Sequence, residues 1–352
     1  MRVRISIVLA AFAVTLLAPA AVGARGPVAD ARSEQDRIIA YWTPARIAAA
    51  KWKGYVIDGR GRMTPNAKPP GTGGGGKPGG GGSGAAVKGA SWTGNGAVEE
   101  RVGRILFSSG GSDWICSGTV VNDASTGNGY SVILTAGHCV FDGADGWSYN
   151  FLFMPDFDDD PNYTCAQRVL GCWTATRLAA NSDFVPSGFG PDAALRVDYG
   201  FALVGAGSKG GQLDATVGGY DLKTSGVSLS DTQWAFGYPA EGKYKGKDLI
   251  YCKGSTVNDP YDVGTWGMAC NMNGGSSGGG WLWGTTNPAD GSGQLSSVNS
   301  YGYSGLTYMF GPRFNAETNT VMGDVIDGSA TGGASVVCNT GTTRQSVAGC
   351  PD

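Results

Sequence analysis

The chain has 352 residues, of which 16% are charged, with 61 glycines, eight cysteines and a single histidine. One imidazole excludes zinc sites that need two or more histidines, and a net charge of −3 gives no basic surface for nucleic acid. Low charge, frequent glycine and an even cysteine count are typical of an extracellular, loop-rich β protein. We expect it to hold no metal ion and no cofactor.

Residues 1–24 have the pattern of a secretory signal peptide. Two arginines precede the apolar run 5–17, and Val22-Gly23-Ala24 offers a small-residue cleavage site. The apolar run is too short to span a bilayer comfortably, and no later run reaches roughly 18 apolar residues. The sequence therefore predicts a secreted protein that is not held in a membrane once the signal is cleaved.

Residues 25–70 predict two short helices. The first contains Ser33 to Trp42, with Ser33 as the candidate N-cap, and the second runs from Pro44 to Lys51. Neither is long enough to be stable alone in water, so each must dock on another part of the protein or stay frayed.

Residues 71–90 are expected to be a flexible linker, because the glycine tract from Gly71 to Gly84 cannot bury apolar surface. All eight cysteines lie after it, from Cys116 onward. The helical piece and residues 91–352 are therefore predicted to be separate units, joined by a tether that proteases can cut.

From about residue 98 the sequence consists of short β-like runs separated by Gly, Asn, Asp and Pro. The clearest runs are Val102 to Phe107, Gly118 to Val121, Ser131 to Leu134, Tyr199 to Val204 and Trp234 to Phe236. No long segment of 3.6-residue period accompanies them, so the pattern predicts an all-β sandwich or barrel.

The only histidine, His138, lies at the end of an apolar strand and directly before Cys139. In a secreted chain, Cys116 and Cys139 are better explained by a disulfide than by a metal site. Such a bridge would hold the imidazole still, as a general base requires.

Far downstream, glycines surround two serines in the segment Gly274-Gly275-Ser276-Ser277-Gly278. Glycine lets the backbone turn sharply and point N–H groups at a developing oxyanion, while a serine oxygen stays accessible. A plain Gly/Ser loop is the alternative reading of this segment alone.

Three segments in this order resemble the chymotrypsin-like (trypsin-fold) serine proteases, most of all their secreted bacterial members. They are Cys116-Ser117-Gly118-Thr119, Thr135-Ala136-Gly137-His138-Cys139 and Gly275-Ser276-Ser277-Gly278-Gly279. The resemblance covers roughly residues 98–310 and implies two packed six-stranded antiparallel β-barrels, with the active site in the cleft between them.

By this resemblance His138 is the general base and Ser277 the nucleophile. Ser277 is preferred to Ser276 because the nucleophile of the family is followed directly by glycine. The backbone N–H groups of Gly275 and Ser277 would form the oxyanion hole.

The third member must be a carboxylate that lies near His138 and fixes its tautomer. Asp198, in Asp198-Tyr199-Gly200-Phe201, resembles the version in secreted bacterial relatives and is preferred. Asp192 in Asp-Ala-Ala-Leu is the alternative.

The order of these residues also separates rival hydrolases. The segment Gly275 to Gly279 fits the Gly-x-Ser-x-Gly elbow of α/β-hydrolases, but no histidine follows Ser277, as that fold requires. Subtilisin-like enzymes need an Asp before the His, and no suitable Asp motif precedes His138.

The resemblance also implies a substrate-binding surface. Ser300-Tyr301-Gly302 resembles the edge that pairs with the substrate backbone as an added strand. Asn271 would lie near the base of the primary pocket, and its neutral side chain does not support a preference for Lys or Arg. Relatives that cut after Glu use a second histidine, which this chain lacks.

Trypsin-like enzymes carry an Asp directly before the nucleophile, where this chain has Ser276. Activation by a salt bridge to a new N-terminus is therefore not expected. Our hypothesis is that residues 25–70 are a propeptide that inhibits the enzyme or assists its folding, the alternative being a dispensable spacer.

The cysteine pairs favoured by proximity and resemblance are Cys116–Cys139, Cys252–Cys270, Cys165–Cys172 and Cys338–Cys350. The acidic run Asp156-Phe157-Asp158-Asp159-Asp160 could bind Ca²⁺, but a solvated loop is the preferred interpretation.

These observations predict a secreted serine endopeptidase, a monomer that acts on peptides or proteins through a His-Asp-Ser triad and an acyl-enzyme. The competing hypothesis is a catalytically silent protein-binding module on the same fold.

Overall fold

The computed structural model describes residues 27–58, 63–65, 86–123, 127–142, 145–157, 163–184, 192–330 and 335–339. The predicted signal peptide, the tract 71–84, the aspartates 158–160 and Cys350 lie outside these residues. Within them, no helix is both long and apolar enough to cross a membrane.

The N-terminal part contains two helices and three short strands. They are α1 (Pro27–Tyr41), α2 (Pro44–Ala49), β1 (Lys51–Trp52), β2 (Tyr55–Ile57) and β3 (Met63–Pro65). Helix α1 begins before the predicted N-cap Ser33, at a proline whose fixed φ suits the first helical position. Helix α2 ends before the predicted Lys51, because Ala50 is extended and the next two residues pair as a strand.

Helix α1 docks on the protein through its apolar face. Ile38 and Trp42 are only 2% and 3% exposed and belong to the same hydrophobic cluster as the first barrel. The Trp42 Nε1–H also donates to the backbone oxygen of Asn150 at 2.7 Å. This docking supplies the stabilisation that a short helix lacks in water, so the two predicted units share one core.

The residues from 87 to 204 contain the first barrel. The elements in this stretch are β4 (Val87–Ser91), α3 (Ala97–Arg101), β5 (Val102–Ser109), β6 (Ser112–Val121), β7 (Ser131–Thr135), α4 (Gly137–Val140), β8 (Phe141–Asp142), β9 (Gly146–Trp147), β10 (Tyr149–Pro155), β11 (Trp173–Asn181), α5 (Asp192–Leu195) and β12 (Gly200–Val204). Of these, β4 pairs with the second barrel. Six strands close in the order β6–β5–β10–β11–β12–β7, and β7 pairs back onto β6. Every pairing in this ring is antiparallel.

The second barrel follows in the chain. The elements in this stretch are α6 (Leu213–Val217), β13 (Thr232–Gly237), β14 (Ile250–Asn258), β15 (Trp266–Ala269), β16 (Gly280–Trp283), a 3₁₀ turn (Pro288–Asp290), β17 (Gln294–Val298), β18 (Tyr301–Tyr303), β19 (Tyr308–Gly311), α7 (Ala316–Asp327) and β20 (Ser335–Asn339). The last two return to the first barrel, where β20 pairs with β11. Its six strands run in the order β17–β16–β13–β14–β15–β19. The chain that follows β17 returns to β19, because the Ser300 N–H donates to the Phe310 backbone oxygen at 2.9 Å. The predicted double-barrel fold is confirmed.

Strand β4 lies across the end of the predicted linker, residues 71–90. Val87 to Ser91 is paired with β14, with Ala90 opposite Tyr251. These residues form a strand despite the glycine-rich composition beside them, because they find a partner strand in the second barrel.

Helix α7 was not predicted. Its N-cap Asn315 accepts from the Thr318 N–H, and the Thr318 side chain accepts from the Asn315 N–H, which makes a capping box. Val321 and Val325 are buried against the first barrel. The Asn-x-x-Thr spacing was the feature of the sequence from which the start of this helix could have been predicted.

Between cysteines that both lie in the described ranges, three disulfides are formed, joining Cys116 to Cys139, Cys165 to Cys172 and Cys252 to Cys270. Cys338 lies on β20, which pairs with β11, and its predicted partner Cys350 is outside the described residues.

Candidate active site

His138 lies in the single turn of helix α4, which is fixed by the strand before it and by a disulfide within it. Strand β7 delivers the chain to α4, and Cys139 in the same turn is bonded to Cys116 on β6. The His138 N–H donates to Asp198 Oδ1 at 2.8 Å, and its Nδ1 lies 2.8 Å from Asp198 Oδ2. Both residues are fully buried. A proton on Nδ1, shared with the carboxylate, makes Nε2 the acceptor of the neutral ring.

Of the two predicted carboxylates, the structure brings Asp198 to the imidazole. Asp198 lies between α5 and β12, and its Oδ2 also accepts from Ser300 Oγ at 2.5 Å. Asp192 lies in α5 and is exposed. The two oxygens of Asp198 are thus both engaged by groups that fix the imidazole's orientation.

The serine loop requires its glycines. Gly275 and Gly278 have φ of +98° and +85°, and a Cβ on Gly278 would lie 2.1 Å from Thr135 Oγ1. The loop is tied to the first barrel, because the Ser117 N–H donates to the Ser277 oxygen at 2.8 Å. Ser276 Oγ turns back to the Asn273 oxygen at 2.7 Å, so the two serines point to different partners.

A backbone carbonyl of the N-terminal segment, that of Lys53, lies at this loop. It accepts from the Gly275 N–H at 3.2 Å and from Ser277 Oγ at 3.3 Å. The chain approaches closely here, since a Cβ on Gly54 would lie 2.9 Å from the Gly274 Cα. Sequence reasoning missed this contact, and its faint signal was a lone glycine between two short β-like runs.

Tyr55 covers the imidazole. Its ring lies edge-on to His138, with the centroids 5.2 Å apart. Its hydroxyl donates to Asp142 Oδ2 at 3.2 Å. Burial, assisted by the neighbouring Asp142 carboxylate, raises the pKa of Tyr55 well above its ordinary value, so this hydroxyl stays a donor.

The predicted substrate edge, Ser300 to Gly302, leads into β18, and β2 pairs with it. The pairing is parallel, with Tyr301 opposite Tyr55 and Gly302 opposite Val56. The Tyr301 and Tyr303 hydroxyls donate to the buried Asp259 at 2.7 and 3.0 Å. This edge is therefore rigid, and a strand from the same chain already occupies it.

Asn271 lies after β15 and is half-buried. Its N–H donates to the Lys88 oxygen at 3.1 Å, and its Oδ1 accepts from the Tyr244 hydroxyl. The side chain is neutral and engaged by a phenol. The structure thus places it beside β4, a neighbour that the sequence did not predict.

One group of side chains in the described residues has ligand atoms close enough for a metal ion, namely Cys116, His138 and Cys139. The two sulfurs are joined in a disulfide, so only the imidazole remains as a ligand.

Comparisons with known proteins agree with this geometry. The family model for the lysyl endopeptidase C-terminal domain matches residues 87–184. Protease Anisep from Arthrobacter nicotinovorans is 33% identical and has a TM-score of 0.55, over 69% of this chain and 99% of that one. A thermostable serine protease, AL20, from an extremophilic microorganism is 30% identical with a TM-score of 0.55, over 67% and 99%.

A Glu endopeptidase, solved in complex with MPD, shares the fold at 21% identity and a TM-score of 0.50, over 67% of this chain and 95% of its own. No curated protein matches the chain. Two solved proteases are at least 30% identical and are covered almost end to end. The chain therefore belongs to the chymotrypsin-like serine proteases, together with these microbial enzymes, and it is a serine endopeptidase.

Proposed function

We propose that the enzyme hydrolyses peptide bonds through a triad of His138, Asp198 and Ser277. His138 takes the Ser277 proton as the oxygen attacks the substrate carbonyl, and then delivers it to the leaving amine. Asp198 keeps the proton on Nδ1 and stabilises the imidazolium. The acyl-enzyme on Ser277 is released by water, activated by the same imidazole.

The observation that carries this proposal is the position of the Lys53 carbonyl. One oxygen receives hydrogen bonds from both the Gly275 N–H and Ser277 Oγ. A reacting carbonyl must satisfy the same condition, lying within reach of the nucleophile and of an oxyanion donor at once. The Lys53 carbonyl thus stands in for a substrate carbonyl, with Gly275 as one donor and the Ser277 N–H proposed as the other.

A fluorophosphonate probe tests the nucleophile directly. The processed enzyme should be labelled, Ser277→Ala should lose all labelling, and the matched control Ser276→Ala should keep it. A processed wild-type enzyme that is never labelled, although it is folded, would instead favour a silent protein-binding module.

We assign substrate recognition to Asn271 at the base of the primary pocket and to the edge formed by Ser300, Tyr301 and Gly302. The match to the lysyl endopeptidase model ends at residue 184, before all of these residues. A neutral, phenol-bonded Asn271 supplies no counter-charge for Lys or Arg in that pocket. Digestion of a peptide library would test this, and a strict requirement for Lys before the cut bond would contradict it.

Residues 25–70 are, in this proposal, an inhibitory propeptide. β1 lies on the first barrel beside Trp114 and Ile115, the Lys53 carbonyl is at Ser277, and β2 covers the β18 edge. The segment therefore fills the cleft on both sides of the nucleophile. No substrate can reach Ser277 until it leaves.

The direction of the segment explains why it is not cut. A substrate whose residues before the cut bond pair with β18 must run towards Ser277 and end there. β2 begins beside Ser277 and runs away from it. In that orientation the Gly54 nitrogen leaves on the β18 side, away from the general acid, so the Lys53–Gly54 bond is presented without a proton donor for its amine.

The full-length chain should be inactive, and cutting within residues 66–85 followed by dilution should release activity. Adding residues 27–65 in trans should restore inhibition. If expression from residue 86, which keeps β4 intact, gave equal yield and equal activity with or without that piece, the segment would be a spacer. We also propose secretion after cleavage near Ala24, since disulfides persist in oxidising compartments; N-terminal sequencing of protein from the medium checks this.

A further inference from the structure

The side chain of Lys53 lies in a pocket that belongs to the first barrel. Lys53 is 2% exposed, and among the lysines that the structure describes it is the buried one. A buried ammonium is costly unless a carboxylate or an aromatic face compensates it. The site therefore has to supply such compensation.

Three residues compensate the charge. The Lys53 Nζ lies 2.7 Å from Asp142 Oδ2. It also lies over the faces of Trp114 and Phe107, at 5.3 and 5.7 Å from the ring centroids, within the range of cation–π attraction. The Asp142 side chain is 20% exposed, so water screens this ion pair only in part.

The pocket lies on the histidine side of the nucleophile. Asp142 follows the turn that carries His138, and Trp114 is close in sequence to Cys116, which is bonded to Cys139. The Lys53 N–H donates to the Ile115 oxygen at 3.1 Å, so the adjoining edge of β6 also accepts an extended backbone. Since the imidazole must reach the leaving amine, the residues after the cut bond lie on this side.

We propose that Phe107, Trp114 and Asp142 form a binding site for a Lys or Arg side chain within the first two substrate residues after the cut bond. This inference rests on the proposed role of Ser277. It adds a second recognition element, separate from Asn271 and the β18 edge. In the uncut chain Lys53 occupies this site, and in the processed enzyme the side chain of a substrate takes its place.

The experiment uses full-length chain that has been activated by cleavage, with the active-site concentration measured by the fluorophosphonate probe. One peptide that the wild type cuts is resynthesised with Lys, norleucine or Glu at the first or the second position after the cut bond. Norleucine keeps the chain length and removes the charge. At one of the positions Lys should raise kcat/KM about tenfold over norleucine, as expected for one partly buried charge pair, and Glu should lower it.

The same ratio is then measured in three variants. Asp142→Asn should bring the Lys-to-norleucine ratio close to one, and Asp142→Lys should favour the Glu peptide. Asp145→Asn removes a carboxylate from the same turn that is exposed, and should keep the wild-type ratio. Equal rates on Lys and norleucine in the wild type, or an unchanged ratio in Asp142→Asn, would overturn the pocket.

A second measurement leaves the enzyme unaltered, so it does not depend on a variant folding. A peptide of residues 50–58 should inhibit the wild type, and Lys53→norleucine should weaken it about tenfold. The control Lys51→norleucine alters an exposed lysine whose Nζ lies 5.7 Å from the Trp114 ring centroid; because this charge is exposed to water, its loss should weaken inhibition much less. Equal inhibition by all three peptides would contradict the pocket. If no peptide is cut at all, or Ser277→Ala cuts as well as wild type, the proposed function fails instead.

Discussion

The N-terminal segment meets the two barrels in different ways. On the first barrel it inserts side chains, with Trp42 in the core and Lys53 against Asp142. On the second barrel it is held by its backbone, through the β2–β18 pairing and the Lys53 carbonyl, and it adds the buried apolar side chain of Ile57 beside Tyr301 and Phe310.

This difference assigns sequence specificity to one barrel and the placement of the bound chain to the other. Side-chain pockets discriminate between sequences, whereas backbone pairing accepts any extended chain. The first barrel should therefore decide which segment or substrate binds tightly, and the second should hold it in line with Ser277. Variants that weaken the contacts with either barrel can test this division.

The largest effect is expected where the first barrel handles protons. Asp198→Asn should leave the fold intact and lower kcat of the processed enzyme by about 10⁴-fold, because an amide holds the wrong imidazole tautomer. Steady-state kinetics on a cleaved peptide measure it. The control Asp192→Asn changes an exposed carboxylate and should keep wild-type kcat; a comparable loss there would reassign the triad.

Next in size is the side-chain anchor on the first barrel. Trp42→Ala should cost about 3 kcal/mol or more of docking energy, or at least a hundredfold in the inhibition constant of residues 27–65 added in trans. The full-length variant should show activity before cutting. Ala45→Ser, at an exposed position of α2, is the control, and equal inhibition by both variant pieces would show that Trp42 does not anchor the segment.

A smaller effect is expected where the segment crosses to the second barrel. Gly54→Ala places a methyl group 2.9 Å from the Gly274 Cα and 3.8 Å from Ser277 Oγ. The backbone must shift, so inhibition in trans should weaken about tenfold, the cost of a modest overpacking. Ala49→Ser, on the exposed side of α2, should leave it unchanged. A Gly54→Ala piece that inhibits normally would mean that the close approach is relaxed in solution.

The smallest effect is expected from pH. Burial opposes ionisation of Asp113, but hydrogen bonds from Tyr41, Arg46 and Ser108 hold its pKa below the ordinary 3.8. Because the docked pKa is lowered, this contribution to docking is present above about pH 4 and is lost as pH falls through the lowered value. Inhibition in trans should thus weaken a few-fold in that acid range. Asp113→Asn should abolish the step, and a step that persists would assign it to another group.

The parts of the site that follow from sequence are those set by local chemistry. The turn around His138, the glycines around Ser277 and the apolar strand after Asp198 each need particular residues at fixed spacing, so the pattern exposes them. The hydrogen-bond partner of Asn271 and the pocket that holds the Lys53 side chain depend on contacts between residues far apart in the chain. The sequence of a short strand such as Tyr55 to Ile57 does not indicate which strand it pairs with.

Helix α7 illustrates the same limit within the fold. Its capping box could be recognised in the sequence, but the many turns around it favoured an all-β interpretation. The burial of Val321 and Val325 on the first barrel, which adds to its stability, could not be predicted from that spacing. The β4 strand was missed for the reverse reason, since glycine-rich composition next to it masked a segment that β14 orders by pairing.

The anchoring of β3 and β4 on one sheet has a further consequence. β3 ends at Pro65 and β4 begins at Val87, so if residues 25–70 are the proposed inhibitor, their covalent connection to β4 would hold them at a roughly millimolar effective concentration. Cutting that connection would leave the contacts of β1, β2 and Lys53 in the cleft unbroken. It only turns an intramolecular equilibrium into a bimolecular one, so that dilution becomes the trigger. The cut protease would then stay inhibited at high concentration and gain activity as it is diluted into a larger volume.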